Sequence, residues 1–344
     1  MRAAAAEPTS SPPTGSWSPA EDRPPRFQAG LVTLGVLALV PAAVFAVLRV
    51  VPPTDDATAL LASFISFGAV FALLGLGCLG LALLRARRRV ALAVLTTLAA
   101  VLLAGHVAVQ APLFLPDHRT AAGPGFTLLS LNTYKGAADP DQVVAAAAAA
   151  DVVVLVELTP DALEALDARG WRDRFPYAAG VYATTVSNTA VFSRYPLSDS
   201  VQFGRDSFDQ WVSRVAVPEV GPVRLFGVHP CNPYCGGGRW TEEHTTLRRV
   251  VEAGPDLPTV LAGDFNAVDD HGPMLALHRE GLRSATDLLG AGWLPTYPAN
   301  RGIPPLLAID HVLVDDRLTV TSLRRVRVTG TDHLGLLAVV APAG

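Results

Sequence analysis

Basic side chains are scarce in the part of the sequence where a soluble domain is expected. Lys135 is the only lysine among 27 basic residues, a bias typical of high-GC coding sequences rather than of function. Residues 1–115 contain 8 Arg and 5 Asp or Glu, which leaves 19 basic and 26 acidic residues in the rest of the chain, a net charge of −7. Because proteins bind nucleic acid largely by neutralising its phosphates, this deficit argues against nucleic acid as a partner.

Charge of either sign is absent from long runs in the first third of the chain. Only 17% of all residues are charged and 50% are hydrophobic, with a mean hydropathy of +0.34. Residues 29–51, 57–84 and 90–115 are apolar runs, and the second has no charge, although a helix needs only about 20 residues to cross a bilayer. These runs predict three transmembrane helices over residues 29–115. Arg23 and Arg26 precede the first run, so a signal peptide was the alternative for that run alone.

Arginines are concentrated in one of the two loops between the predicted spans. Four of residues 85–89 are arginine, whereas residues 52–56 contain two aspartates. The positive-inside rule therefore places residues 85–89 and the N-terminal tail in the cytoplasm. Residues 1–28 contain six prolines among Ser, Thr and Ala, which predicts a disordered cytoplasmic tail. Three crossings of the cell membrane then place everything after residue 115 outside the cytoplasm.

The remaining chain predicts a linker over residues 116–125 and a globular domain over residues 126–344. Strands are expected at residues 126–131, 151–156, 189–192, 212–217, 223–228, 259–262, 309–314, 320–328 and 334–340. Helices are expected at residues 140–150, 163–168, 242–252 and 273–280. This order favours an α/β fold in which two sheets form a sandwich covered by helices. A Rossmann-type sheet is disfavoured because no Gly-x-Gly-x-x-Gly follows the first strand.

Polar residues follow or end several of the predicted strands. They are Asn132, Glu157, His229, Asp264, Asn266, Asp310, Asp332 and His333. Carboxylate and amide oxygens suit Mg²⁺, and an imidazole oriented by a carboxylate can activate water. Considered singly, each residue has a second interpretation: residues 263–266 as an ordinary β-turn, Glu157 as a solvent-facing carboxylate, and each histidine as a packed or solvated one.

Taken together and in this order, the residues resemble the motifs of the endonuclease/exonuclease/phosphatase superfamily, over roughly residues 126–340. The motifs are Leu131-Asn132, Val156-Glu157, Ser193-Arg194-Tyr195-Pro196-Leu197, Val228-His229-Pro230, Gly263-Asp264-Phe265-Asn266, Ile309-Asp310-His311-Val312 and Thr331-Asp332-His333. The superfamily includes Mg²⁺-dependent nucleases, sphingomyelinases and inositol-phosphate phosphatases.

The resemblance implies a role for each residue. Glu157 is expected to be the main Mg²⁺ ligand, with Asn132 and Asp332 nearby and Mn²⁺ as an alternative metal. His229 and Asn266 are expected to contact phosphoryl oxygens. The general base is either His333, paired with Asp310, or Asp264.

Three spans followed by an external domain of this kind are similar to the actinobacterial membrane proteins of the VanJ type, which are associated with teicoplanin resistance. This similarity implies a membrane-anchored Mg²⁺-dependent hydrolase of a phosphoester or pyrophosphate, with a membrane lipid or lipid-linked cell-envelope phosphate as substrate and a contribution to glycopeptide resistance. An extracellular nuclease and a non-catalytic binding or sensor module are the alternatives.

Two segments depart from the superfamily pattern. Cys231 and Cys235 directly follow the His229 motif, and they could form a disulfide or remain free thiols. Residues 292–298, rich in proline and aromatic residues, could form a semi-rigid lid or apolar rim beside the site, or a solvent loop packed on Trp293.

Overall fold

The computed structural model describes residues 26–51, 53, 55–86, 89–117, 119–180, 188–204 and 208–344. Most of the predicted disordered tail lies outside the described residues, and so do Arg87 and Arg88 of the predicted cytoplasmic loop. The described chain consists of a helical N-terminal part and a globular domain with two sheets.

Three apolar helical stretches in the N-terminal part could span a membrane: Arg26–Val50, Ile65–Leu84 and Val90–Phe114. They consist of α1 (Arg26–Val50), α3 (Gly68–Leu84) preceded by the 3-10 turn Ile65–Phe67, and α4 (Val90–Gln110) continued by the 3-10 turn Ala111–Phe114. Helices α1 and α3 approach each other closely, because a Cβ atom on Gly75 would lie 2.7 Å from Leu39 Cδ2. Small residues at such contacts are typical of helices that pack within membranes.

The apolar run of residues 57–84, longer than a bilayer core requires, does not form one continuous helix. Residues Asp56–Ala62 form a separate short helix, α2, which ends before the turn Ile65–Phe67. Asp55 begins this helix by accepting a hydrogen bond from Thr58 N, and Ala59 is buried in an apolar cluster of the globular domain. The apolar residues of α2 thus pack on that domain. The remaining stretch Ile65–Leu84 has 20 residues, which is enough to cross a bilayer core.

The described part of the globular domain contains twelve strands in two mixed sheets. They are β1 (Phe126–Asn132), β2 (Val152–Val156), β3 (Tyr177–Ala179), β4 (Thr189–Ser193), β5 (Leu197–Phe203), β6 (Gln210–Val217), β7 (Gly221–Val228), β8 (Thr259–Asp264), β9 (Arg283–Ser284), β10 (Asp310–Val314), β11 (Leu318–Val326) and β12 (Gly335–Pro342). The strand order is β11-β12-β1-β2-β4-β3 in one sheet and β5-β6-β7-β8-β10-β9 in the other. Among the described strands, β1 pairs with β2 and β7 pairs with β8 in parallel.

An apolar layer between the two sheets forms the central core, with Leu128 and Val154 from one sheet and Leu225 and Val260 from the other. Helices α5 (Pro140–Ala146), α6 (Pro160–Asp167) and α7 (Trp171–Arg174) cover the first sheet. Helices α8 (Arg239–Glu252) and α9 (Gly272–Arg279) cover the second, and α10 (Ala285–Leu289) closes one edge of the central core. The predicted two-sheet α/β sandwich preceded by three long apolar helices is therefore confirmed.

Several short elements were not expected from the sequence, namely α7, α10, β3, β5 and β9. Strand β5 shows the reason, since it is mostly exposed and its pairing with β6 is interrupted between Ser198 and Val201. Such a strand forms because its neighbour offers hydrogen bonds, and it needs no apolar run of its own.

The helical part contacts the globular domain directly. At the end of α1, Arg49 Nε donates a hydrogen bond to Asp270 Oδ1 at 2.8 Å. His271 Nε2 donates to the carbonyl of Ala59 in α2 at 3.0 Å. The ring of Trp293 packs edge-on against Phe67, with 5.3 Å between centroids. The start of residues 292–298 therefore contacts the helical part, whereas Tyr297 packs against His333 in the globular domain.

Candidate active site

The predicted site residues lie at one end of the sandwich, where both parallel strand pairs finish. Asn132 ends β1, Glu157 follows β2, His229 follows β7 and Asp264 ends β8. Strand β10 runs antiparallel to β8 and begins there, with Asp310 opposite Asp264. The structure brings all eight predicted residues into one cluster, in which each residue contacts at least one other.

A close approach of β7 and β8 depends on Gly263. Its φ is 152°, and a Cβ atom at this position would lie 1.9 Å from the carbonyl oxygen of Val228. Any other residue would push the strands apart. Gly263 thus allows the Asp264 Oδ2 and His229 Nε2 atoms to lie 4.0 Å apart.

Asn132 joins two carboxylates at the centre of the cluster. Its Nδ2 donates hydrogen bonds to Glu157 Oε1 at 3.2 Å and to Asp264 Oδ2 at 3.1 Å. Its Oδ1 accepts from Tyr134 N at 2.8 Å, while Lys135 N donates to Glu157 Oε2 at 3.0 Å. The amide nitrogen of Asn132, and not its oxygen, faces the carboxylates.

His333 lies among three carboxylates. Its Nδ1 is hydrogen-bonded to Asp310 Oδ2 at 2.8 Å, and its Nε2 is 3.6 Å from Asp264 Oδ2 and 3.8 Å from Asp332 Oδ1. The hydroxyl of Thr331 accepts from His333 N at 3.1 Å and donates to the Asn132 carbonyl at 2.7 Å. The orientation of the His333 ring is thus fixed by the hydrogen bond of its Nδ1 and by that of its backbone N–H.

His229 also approaches the Asp264 carboxylate and is almost completely buried. Its Nε2 is 3.8 Å from Glu157 Oε1, and its ring stacks on Phe208 with 4.2 Å between centroids. The backbone N–H of His229 donates to Gln210 Oε1 at 3.3 Å. The ring nitrogen Nε2 therefore faces the centre of the cluster.

Asn266 occupies a left-handed backbone conformation, with φ 47°. Its N–H donates to Asp264 Oδ1 at 2.8 Å and its Nδ2 donates to the carbonyl of Pro230 at 3.0 Å. The turn after β8 is thereby tied to the loop after β7. In that loop Cys231 and Cys235 form a disulfide.

The two histidines carry different charges. Burial, aided by His333, lowers the pKa of His229 to about 3, so this ring is neutral. Burial also disfavours charge on His333, but the carboxylates of Asp310 and Asp264 outweigh it and raise the pKa of His333. Burial raises the pKa of Asp264 and that of Asp332. A cationic imidazole therefore lies beside carboxyl groups that accept protons more readily than usual.

The residues fit a divalent metal in their donor atoms. Asp264, Asp310 and His333 each offer a ligand atom within 4.8 Å of the others. The contact between His333 Nδ1 and Asp310 is already a hydrogen bond, however. Among the described residues, Oδ1 of Asp310 and Oδ1 of Asp332 are buried without a hydrogen-bond partner. Such hard oxygens suit a divalent cation, and Asn132 would offer its oxygen to that cation only after its amide turned over.

The cluster opens into a cleft of about 250 Å³. Glu157, Asp264, Asn266, Asp332 and His333 line its polar end. The remaining lining residues are Leu60, Ser63, Tyr134, Lys135, Asn232, Pro233, Tyr234, Tyr297, Leu307 and Ile309. The cleft is therefore large enough for a phosphate group and part of its substituent.

Some residues that hold the site were not singled out from the sequence. Gln210 supports the backbone of His229, Phe208 stacks on its ring, and the Thr296 hydroxyl accepts from Asp310 N at 3.3 Å. Gln210 and Thr296 are both fully buried polar residues. Nothing local in the sequence indicates this burial, because the partners lie far along the chain.

Comparisons with known proteins agree with the fold. An endonuclease/exonuclease/phosphatase protein from Beutenbergia cavernae DSM 12333 matches with a TM-score of 0.50 and 19% identity, over 64% of this chain and 72% of that one. A functionally unknown conserved protein from Enterococcus faecalis V583 matches with a TM-score of 0.51 and 14% identity, over 63% and 99%. Humanized D. rerio TDP2 with 14 mutations matches with a TM-score of 0.50 and 15% identity, over 62% and 98%. No curated protein matches the sequence significantly.

The family model described as "Endonuclease/Exonuclease/phosphatase family" matches residues 129–333, more than half of the chain. This range includes all eight residues of the cluster. The chain belongs to the endonuclease/exonuclease/phosphatase family, whose members are hydrolases that act on phosphoesters.

Proposed function

We propose that this protein is a membrane-anchored, Mg²⁺-dependent hydrolase of a phosphoester or pyrophosphate carried by a membrane lipid or lipid-linked cell-envelope intermediate. The observation that carries the proposal is the position of the carboxylate and histidine cluster in a cleft whose wall includes α2. In the sequence, α2 lies between the first and the second candidate membrane span. The arginines of residues 85–89 support a catalytic domain outside the cytoplasm.

Asp264 and His333 take separate roles in this reaction. The protonated His333 donates its Nε2–H to a phosphoryl oxygen, and Asp310 holds the other ring N–H. Asp264 accepts a proton from the attacking water, because burial raises the pKa of its carboxyl group. The water oxygen forms the new bond to phosphorus while the bond to the leaving oxygen breaks, and the leaving group departs as an oxyanion that takes a proton from solvent. Of the two candidate bases, this geometry favours Asp264.

His229 and Asn266 also bind the phosphoryl group. The neutral imidazole of His229 directs Nε2 into the cluster, and Asn266 lines the cleft. A bound divalent cation would be held by Glu157 and Asp332, and by Asn132 after rotation of its amide, and would neutralise charge on the phosphoryl oxygens. The acidic cluster makes such a counter-charge necessary for an anionic substrate.

A lipid-linked substrate is favoured over nucleic acid by charge and by position. The chain after residue 115 has a net charge of −7, which repels a polyphosphate backbone. A lipid held in the bilayer beside the anchor gains effective concentration instead. A contribution to teicoplanin resistance, as in the VanJ type that this plan resembles, is consistent with a wall precursor as substrate.

The proposal is tested with the full-length chain reconstituted in lipid nanodiscs. We expect Mg²⁺-dependent hydrolysis of bis-p-nitrophenyl phosphate that EDTA abolishes. Glu157→Gln removes a ligand charge and should lower kcat/KM by at least about 100-fold. His333→Ala should lower it by about 100-fold or more. The exposed Glu164→Gln on α6 is the matched control and should keep wild-type activity.

A second assay separates the alternatives by comparing undecaprenyl pyrophosphate, a phospholipid and plasmid DNA at one Mg²⁺ concentration. We expect both lipids to be turned over in preference to DNA. Plasmid nicking without release of phosphate or headgroup from either lipid would establish the extracellular nuclease instead. Absence of turnover on every substrate would support the non-catalytic binding or sensor module.

A further inference from the structure

The cleft has an apolar lining besides its catalytic groups. Leu60, Pro233, Tyr234, Tyr297, Leu307 and Ile309, the apolar end of the cleft, line it together with the polar residues Ser63, Tyr134, Lys135 and Asn232. Tyr297 packs on His333 with 5.0 Å between ring centroids, so the apolar lining begins directly beside the reacting position. A substituent attached to a bound phosphate could therefore contact apolar side chains within the cleft.

The apolar end is built partly by the membrane anchor. Leu60 and Ser63 belong to the segment between the first and second candidate spans, whereas the other lining residues belong to the globular domain. Helix α2 is fixed on that domain: the buried His271 donates to the Ala59 carbonyl, and Gly238 N donates to Asp56 Oδ2 at 3.4 Å. Leu60 thus has a defined position in the wall.

The Leu60 wall of the cleft lies close in sequence to the second candidate span, and therefore close to where lipid chains of a membrane would be. Leu60 precedes Ile65, the first residue of the second candidate span, by five residues. Even a fully extended chain of that length reaches only about 18 Å. Phe64, which lies between Leu60 and this span, is 41% exposed. The apolar surface therefore continues from the cleft toward the span.

We propose that the apolar end of the cleft binds the first carbons of the hydrocarbon chain esterified to the scissile phosphate, and that Leu60 of the anchor is a specificity-determining residue for that chain. This inference rests on the proposed hydrolysis of a lipid-borne phosphate. It assigns the selection of an alkyl or prenyl substituent to the loop between spans one and two. Burial of each methylene contributes favourably to binding, so chain length raises kcat/KM.

The test compares two chromogenic diesters with the same leaving group, methyl 4-nitrophenyl phosphate and hexyl 4-nitrophenyl phosphate, on the full-length protein in nanodiscs. We expect wild-type kcat/KM for the hexyl ester to exceed that for the methyl ester by about tenfold or more. Leu60→Ala should lower this ratio by at least about threefold, and Leu60→Met, which restores volume, should retain it. Leu61→Ala is the matched control, since Leu61 does not line the cleft. Equal ratios in wild type, Leu60→Ala and Leu61→Ala would overturn the inference.

A second measurement does not depend on turnover. In a Cys78→Ala background, which removes the free thiol, Leu60→Cys and Leu61→Cys are alkylated with a maleimide in the presence of Mg²⁺. Hexyl phosphate should slow alkylation at position 60 at least about threefold, whereas methyl phosphate should not, and neither should slow it at position 61. Failure of the wild type to hydrolyse any ester, with protection at position 60 intact, contradicts the proposed hydrolysis but retains the chain-binding surface. Equal alkylation with both phosphates at position 60 rejects that surface.

Discussion

Four non-glycine residues around the cleft have left-handed backbone conformations: Tyr134, Lys135, Glu157 and Asn266, with φ between 47° and 56°. Such a conformation costs about 1 to 2 kcal/mol per residue. It is maintained because hydrogen bonds fix it, for example from Lys135 N to Glu157 Oε2 and from Tyr134 N to Asn132 Oδ1. Strain concentrated beside one cluster is typical of a functional site, since positioning of side chains there outweighs local stability.

His244 provides a prediction about pH at the same scale. It is buried on α8, Nε2 donates to the Phe265 carbonyl at 3.0 Å, and burial lowers its pKa to about 3. The unfolded chain binds a proton at His244 below pH 6.5, whereas the folded chain does not until about pH 3. Stability from this group is therefore complete above pH 6.5 and falls as the pH is lowered, by about 2 kcal/mol between pH 7 and pH 5.

The variant His244→Gln keeps an N–H donor but cannot titrate. We expect its loss of unfolding free energy between pH 7 and pH 5 to be about 2 kcal/mol smaller than that of the wild type. Urea unfolding followed by near-UV circular dichroism measures this difference. Glu242→Gln, at an exposed position of the same helix, should behave like the wild type; an unchanged pH dependence in His244→Gln would mean that the ring titrates normally when folded.

At the scale of elements, α2 and the end of α1 decide how the helical part meets the globular domain. The Asp270 carboxylate accepts from Arg49 Nε at 2.8 Å, and only 14% of the Asp270 side chain is exposed. Burial raises the pKa of the Asp270 carboxyl group, and the nearby Arg49 charge partly offsets this increase. Arg49→Ala leaves Asp270 Oδ1 without its donor, although Ser66 Oγ still donates to Oδ2 at 3.4 Å, so contact of the end of α1 and the adjoining α2 with the globular domain should weaken by about 1 to 3 kcal/mol.

Hydrogen exchange measured by mass spectrometry checks this prediction in the full-length protein. Amides of α2 should exchange faster in Arg49→Ala, while those of α7 stay unchanged. Arg49→Lys preserves the charge and should lie between wild type and Arg49→Ala. Combining Arg49→Asp with Asp270→Arg should restore slow exchange; fast exchange in that double variant would show that the ion pair does not hold α2.

For the whole molecule, the main prediction is its orientation in the membrane. The arginines of residues 85–89 predict that this loop is cytoplasmic and that Ser200 is external. Alkaline phosphatase fused after Ser200 should be active, and the same enzyme fused after Arg85 should be inactive. A fluorescent green-fluorescent-protein fusion after Ser200, together with inactive phosphatase there, would reverse the orientation.

The sequence by itself determined the elements whose pattern is local. Runs such as residues 151–156 and 259–262 predict strands correctly, because apolar and β-branched side chains suit a buried sheet in any neighbourhood. Caps also act locally, and Asp139 and Thr159 begin α5 and α6 through hydrogen bonds to nearby N–H groups. The polar residues at the strand ends, taken in their sequence order, then resemble the motifs of the family, and this resemblance predicts the eight residues of the cluster.

Only the tertiary structure decided how distant residues meet. An apolar stretch does not specify whether it enters a membrane or a protein core, and only the structure shows that α2, the start of the apolar run 57–84, packs on the globular domain. The contact of Trp293 with Phe67 and the Asn132 amide bridging two carboxylates also depend on partners far along the chain. Local patterns predict which side chains will be buried. The free energy of a contact depends on both of its residues, and when these are distant in the sequence only the fold brings them together.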